Sequence, residues 1–131
     1  MMSWQTIIAI GSGGFIGAVL RAHLNGVVSH RMPHDIPFGT LGVNLGGSFV
    51  MGILIAYFMH TTFFSLHVKS FLTTGILGGL TTYSTFAIES FLLLNSGQIA
   101  LAIANISLNA FGSVLMAGSG FYLVKLFFKS L

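Results

Sequence analysis

Between Gly75 and Thr85, three glycines and five hydroxyl side chains interrupt an apolar segment long enough to cross a bilayer, within the run GGLTTYSTFAIE from Gly78 to Glu89. An unpaired backbone N–H or C=O is costly in hydrocarbon, so irregular backbone survives there only when it is buried in protein or borders a polar cavity. The stretch predicts a broken helix inside a membrane, the kind of place where ions and small polar solutes are held.

The rest of the chain agrees with that class. It has 131 residues, 54% hydrophobic and only 5% charged, where a soluble domain is about one-quarter charged. Roughly 20 apolar residues cross the hydrocarbon core. Stretches of that kind run from about Trp4 to Val28, Phe38 to Met59, Ser70 to Leu94 and Ile99 to Val124. The expected fold is a single all-α membrane domain over residues 1–131 with four spans, the third broken at mid-span. The first span lacks a basic leading region and a small-x-small cleavage site, so it is not expected to be a removed signal. There are no cysteines, which excludes disulfides and thiolate metal sites. A net charge of +3 is too sparse for a nucleic-acid partner. His23, His30, His34, His60 and His67 have no ligand spacing and read as solvated imidazoles near helix ends.

The connections are short. Ser29 to Pro37 holds two prolines and Asp35, His60 to Lys69 mixes His, Thr and Phe, and Asn95-Ser96-Gly97-Gln98 is a tight turn making the last two spans antiparallel neighbours. The amino terminus, the second connection and the carboxyl terminus share one side, with Lys69, Lys125 and Lys129; the opposite side has Arg31, with Arg21 close by. So even a balance gives the positive-inside rule little to act on, and leaves insertion both ways up and a fixed orientation with the amino terminus inside equally open. Four helices also leave little room for a conduit of their own. Small-xxx-small pairs such as Gly13/Gly17, Gly42/Gly46, Ser48/Gly52, Gly75/Gly79 and Ser113/Ala117 provide close helix contacts, within the chain or to another copy.

Polar groups inside the spans are the candidate site. Asn44, two turns into the second span, taken alone reads as an interhelical hydrogen bond worth about 0.6–2 kcal/mol. Asn105, Asn109 and Ser113, spaced i, i+4, i+8, align on one face of the fourth span and read as the wall of a wet path. Amides and hydroxyls serve either sign of charge, so the column does not choose between anion and cation. Tyr83 and Phe86 share a face, and aromatic ring edges are electropositive enough to line an anion path; plain packing is the competing reading in a chain with 13 phenylalanines. Arg21 and Glu89 are the charges within spans, and such groups are functional candidates by default. Arg21 either snorkels to the headgroups or concentrates anions at a vestibule; Glu89 is deep enough to face protein or water.

A GxGxxxG run, Gly11 to Gly17, is a near miss to the dinucleotide fingerprint, but no strand–helix alternation follows it. A small dual-topology proton-coupled exporter of cationic compounds matches in size, but such exporters rely on a first-span carboxylate, and this first span has none. An accessory subunit without a conduit leaves the polar column unused.

GGFIGAVLR at Gly13 to Arg21, GTLGVNLGGSF at Gly39 to Phe49 and GGLTTYSTFAIE at Gly78 to Glu89 together resemble the Fluc/CrcB fluoride channels, over essentially the whole chain. The resemblance implies a channel rather than an enzyme: passive fluoride efflux that lowers cytoplasmic fluoride toxicity, through an antiparallel homodimer with two pores in a prokaryotic inner or plasma membrane. It implies a central structural sodium ion (Na+) bound by backbone carbonyls of Gly78 and Thr81 in both subunits. Asn44 matches the family's pore asparagine, Arg21 its first-span arginine, and Phe86 the second of its paired pore phenylalanines. Ser84, Thr85 and Ser113 match polar pore residues, Asn105 and Asn109 lie in the register of the fourth-span polar track, and Glu89 ends the third-span motif. Tyr83 stands where the first phenylalanine is usual, Ala87 where serine is frequent, and Ala22 where an aromatic is common.

Overall fold

In the computed structural model, residues 1–31 and 35–130 are described, and they form helices joined by short turns, with no strand among them. Helix α1 (Trp4–Arg31) starts where the Ser3 hydroxyl accepts from the Thr6 N–H at 3.2 Å. Helix α2 (Phe38–His60) follows Pro37, whose fixed φ suits a helix start. It ends where Thr61 turns extended and returns both its N–H and its hydroxyl to the Tyr57 carbonyl. Helix α3 (Leu66–Ser70) is capped by Ser65 and runs into a π-helical stretch, Phe71–Leu77, and then α4 (Gly78–Leu80). Thr81 and Thr82 are extended, and α5 (Tyr83–Asn95) begins after them.

The turn after α5 has the glycine its geometry requires. Gly97 sits at φ +79°, Gln98 N–H bonds the Leu93 carbonyl at 2.9 Å and Gly97 N–H that of Leu94 at 3.0 Å. This reciprocal pair is a Schellman cap, and it sends α6 (Ile99–Lys129) back along α5.

Four helical stretches are long and apolar enough to cross a membrane: Trp4–Arg31, Phe38–His60, Leu66–Asn95 and Ile99–Lys129. They outrun the apolar windows of the sequence because polar and basic residues at the ends still fit a helix once past the hydrocarbon. His60 and His67 depart from the expectation of free, solvated imidazoles. His60 Nδ1 bonds the Ala56 carbonyl and its ring stacks on Phe128, while His67 Nδ1 meets the Thr6 hydroxyl at 3.0 Å. His23 and His30 are exposed; His34 lies outside the described residues.

Glycine sets the two main crossings. A Cβ on Gly79 would stand 2.6 Å from the Gly14 carbonyl oxygen and 3.0 Å from the Ala18 nitrogen, and one on Gly75 would stand 2.9 Å from the Gly13 Cα. Backbone thus lies on backbone where α1 crosses the π-helical stretch and α4. The second crossing joins α2 to α6, with Gly52 against Ala117 and Phe121 and Gly120 against Phe49 and Ile53. Gly42 and Gly46 meet nothing of their own chain. Gly75 and Gly79 of the third span therefore serve contact with α1, and the irregular backbone falls on Thr81 and Thr82.

The core is thin. Among the described residues, its enclosed apolar side chains are Leu41, Val43, Ala56, Leu77, Phe86, Leu93 and Ala102, while the one large side chain buried completely is Asn105. At most 33% of any span's apolar window is covered by the chain itself, and only 11% for α1.

Candidate functional site

Helices α2 and α6 run in the same direction, and each carries a polar column at i, i+4, i+8. Thr40, Asn44 and Ser48 lie along α2, and Asn105, Asn109 and Ser113 lie along α6. Between them enters α5, capped by Thr82.

Asn44 is the junction. Its Oδ1 accepts from the Thr82 N–H at 2.7 Å, and its Nδ2 donates to the Thr82 carbonyl at 3.1 Å and to Asn109 Oδ1 at 2.8 Å. Asn109 Nδ2 donates to the Asn105 carbonyl and to its Oδ1, at 3.0 and 3.1 Å. Asn105 Nδ2 donates to the Ser90 hydroxyl at 3.0 Å, and Ser90 donates to the Phe86 carbonyl at 2.8 Å. The chain of bonds thus starts and ends on backbone of the third span, through side chains of α2 and α6. Every link is buried, which is the condition under which a polar network is tolerated in a low-dielectric interior.

The amide also explains the break. In a continuous helix the Thr82 N–H would serve the Gly78 carbonyl; Asn44 takes it instead. Thr82 repays the new helix by capping it, its hydroxyl accepting from the Thr85 N–H at 3.3 Å and donating to the Thr85 hydroxyl at 2.9 Å. Arg21 reaches the same place: Nη1 donates to the Thr81 carbonyl at 3.3 Å, so the guanidinium addresses the break rather than the headgroups.

An open groove of about 530 Å³ runs beside this junction, with Asn44, Ser48, Thr81, Tyr83, Phe86, Asn109 and Ser113 among the residues along it. The Tyr83 and Phe86 rings meet edge-on there, centroids 5.0 Å apart and planes at 81°. Phe86 is 8% exposed and Tyr83 80%, so one ring is fixed in the chain while the other stands at its surface. Ser84 is exposed outside the groove, Thr85 is tied to Thr82, and Asn105 lies behind the groove at 0% exposure.

Glu89 lies one turn beyond Thr85. Its Oε1 accepts from the Thr40 hydroxyl at 2.6 Å, and its buried Oε2 has no hydrogen-bond partner in the chain. It borders a smaller cavity of about 260 Å³ with Asp35 and Gln98. Thr40, Thr82 and Ser90 are site residues that the sequence reading passed over. The spacing of Thr40 to Asn44 and the position of Thr82 three residues before Thr85 were the available signals.

A family profile described as "CrcB-like protein, Camphor Resistance (CrcB)" matches residues 8–121 of this chain. A protein of Sulfurimonas denitrificans named "Fluoride-specific ion channel FluC" is 84% identical over 125 residues, covering 95% of this chain and 97% of that protein. Proteins with the same name from Nautilia profundicola and Campylobacter fetus are 48% and 45% identical, covering 92% and 97% of this chain and 94% and 99% of theirs.

Proposed function

The chain belongs to the CrcB family, a family of channels rather than enzymes, and from that premise we propose that it is a fluoride-selective channel giving passive fluoride efflux across a prokaryotic membrane that it crosses several times. The observation that carries the proposal is the 84% identity, over 95% of the chain, to a protein named for that activity.

The groove supplies chemistry suited to the task. Fluoride is small and tightly hydrated, so a path must offer donors in place of water. Ser48 and Ser113 hydroxyls line the groove, and the Tyr83–Phe86 pair brings ring edges to the same wall. Asn44 and Asn109 hold that wall in shape, with Asn105 behind it and Thr85 bonded to Thr82. A narrow path so bounded excludes the larger chloride. A negative interior drives a monovalent anion outward by about 2.3 kcal/mol per 100 mV, without a coupled ion.

The groove is open on one side, and Gly42, Gly46 and Tyr83 face away from the chain's own helices. An antiparallel homodimer would close it, and the near balance of basic residues across the ends supports insertion both ways. The break suits a structural sodium ion between two copies. Gly78 is exposed with its carbonyl deprived of the Thr82 donor, and the Thr81 carbonyl keeps a lone pair beside its 3.3 Å bond to Arg21. Carbonyl oxygens are the ligands hard cations take. Such an ion supplies positive charge that holds two breaks together; conduction is assigned to the groove. Arg21 contributes charge at the Thr81–Thr82 junction, and Glu89 lies beyond it beside Thr40.

Efflux from liposomes holding purified protein tests the proposal, comparing fluoride with chloride at a set potential. Rapid fluoride loss with chloride retained is the expected result. Proton-coupled transport of a cationic dye without fluoride flux would replace the channel by the small-exporter reading.

A further inference from the structure

One end of the bundle carries the whole net charge of the chain. Lys69, Lys125 and Lys129 lie at the end where α2 and α6 finish, whereas Arg21, Arg31, Asp35 and Glu89 lie toward the other. Asp35 and Glu89 are the only acidic residues, so they balance the two arginines and leave the formal +3 on the lysines.

No acidic side chain reaches those lysines; rings do. Lys69 Nζ stands 5.4 Å over the Phe58 ring and Lys125 Nζ 5.7 Å over that of Tyr122. Below them His60 stacks on Phe128, centroids 4.8 Å apart, locking the ends of α2 and α6 into one aromatic shelf. Phe63, 84% exposed, extends the shelf through its edge-on contact with Phe64. The 31 residues of α6 span roughly 46 Å at 1.5 Å each, against about 30 Å of hydrocarbon. Its last two turns, with Lys125 and Lys129, therefore project to headgroup depth.

We infer that this end of the bundle is a binding surface for anionic phospholipid, with Lys69, Lys125 and Lys129 taking the headgroup phosphates and the aromatic shelf taking the boundary below them. The Tyr122 ring is exposed and the Phe58 ring half-buried; a cation over a ring that is not fully desolvated is held weakly, so both ammonium groups remain available to a phosphate. Continuity of the shelf with the lipid-facing sides of the helices makes the occupant a lipid rather than a soluble acidic partner. The neutral end has no such surplus and is assigned no lipid.

Native mass spectrometry of the detergent-solubilised full chain, titrated with phosphatidylglycerol or phosphatidylcholine, tests this. Phosphatidylglycerol should bind more tightly, and Lys69→Gln and Lys125→Gln should each weaken it roughly five-fold, the equivalent of about 1 kcal/mol per basic residue. Arg31→Gln and the paired Lys69→Arg/Lys125→Arg change should leave it intact. Equal phosphatidylglycerol affinity in wild type and the double Gln variant overturns the inference. So does competition by inorganic phosphate at the same concentration, which would make this a free-anion site. A change in oligomeric mass without lipid in the double Gln variant also overturns it, since the surface would then be a contact between copies. If the double Gln variant does not fold, loss of the lipid preference in 0.5 M salt supports the inference, and its persistence there refutes it.

Discussion

Asn44 binds both backbone groups of Thr82, accepting from its N–H at 2.7 Å and donating to its carbonyl at 3.1 Å, so a side chain of one span completes the backbone bonding of another. Asn44→Ala would leave two buried backbone groups without partners. At about 1–3 kcal/mol for each unsatisfied group, the variant should lose roughly 2–6 kcal/mol of stability and nearly all flux. Asn44→Asp keeps the acceptor and loses the donors, and should fall between. Thermal unfolding in detergent, read with liposome efflux, checks the order.

Phe86 and Tyr83 separate an ion-facing ring from a packing ring. If the ring edge meets the anion, Phe86→Ile should nearly abolish fluoride flux, although a volume-conserving swap costs less than about 1.5 kcal/mol in stability. Tyr83→Phe should keep both flux and stability, because its ring stands at the surface. Dimer assembly is verified by size-exclusion chromatography before flux is compared. Full flux in a well-assembled Phe86→Ile protein would remove the aromatic wall from the mechanism.

The α1 crossing allows no side chain at Gly79. Gly79→Ala drives a methyl into the Gly14 carbonyl and the Ala18 nitrogen, which is backbone on both counts, and should cost about 1–3 kcal/mol. Gly11→Ala, on the same helix α1 but with nothing within 4 Å, should fall within about 0.5 kcal/mol of wild type. Equal losses in chemical denaturation would mean that the crossing is looser than its backbone contacts imply.

Orientation should respond to charge added at the α5–α6 turn. Two lysines placed between Asn95 and Gln98 should bias insertion and lower the yield of functional dimers. Cysteine labelling at that turn reads it out. One-sided labelling in the unmodified protein would refute mixed insertion.

Removing sodium should lower fluoride flux without creating cation conduction. A reversal potential that tracks the sodium gradient would instead place sodium in the conduction path.

The membrane spans were legible because composition and length leave a chain like this no other way to bury itself. The Asn95–Gln98 turn was legible too, since Gly97 is the residue that a positive φ favours. Asn44 and Asn109 were found as polar residues in apolar helices, but their connection was not, because a hydrogen bond between residues 65 positions apart has no local signature. Asn105 drew the expectation of a wet wall; its amide is instead spent on Ser90 and Asn109 inside the bundle. Thr40 escaped because one threonine in a glycine-rich helix looks like spacing, and only its meeting with Glu89 gives it a role. Gly75 and Gly79 were read with the break, whereas their missing Cβ atoms serve the α1 crossing and the break depends on a neighbour.

That dependence has a consequence for biogenesis. The Thr82 N–H leaves the helix only because Asn44 receives it, and Asn44 is in turn fixed by Asn109 on α6, which is synthesised after the other three spans. Before that helix arrives, the third span in lipid has nowhere else to send the group and should insert as an unbroken helix. The irregular segment is then a late product of docking, made when the fourth span closes on the second. A peptide of residues 66–95 in bilayers should accordingly be helical through Thr81 and Thr82, and acquire its interruption only in the complete chain.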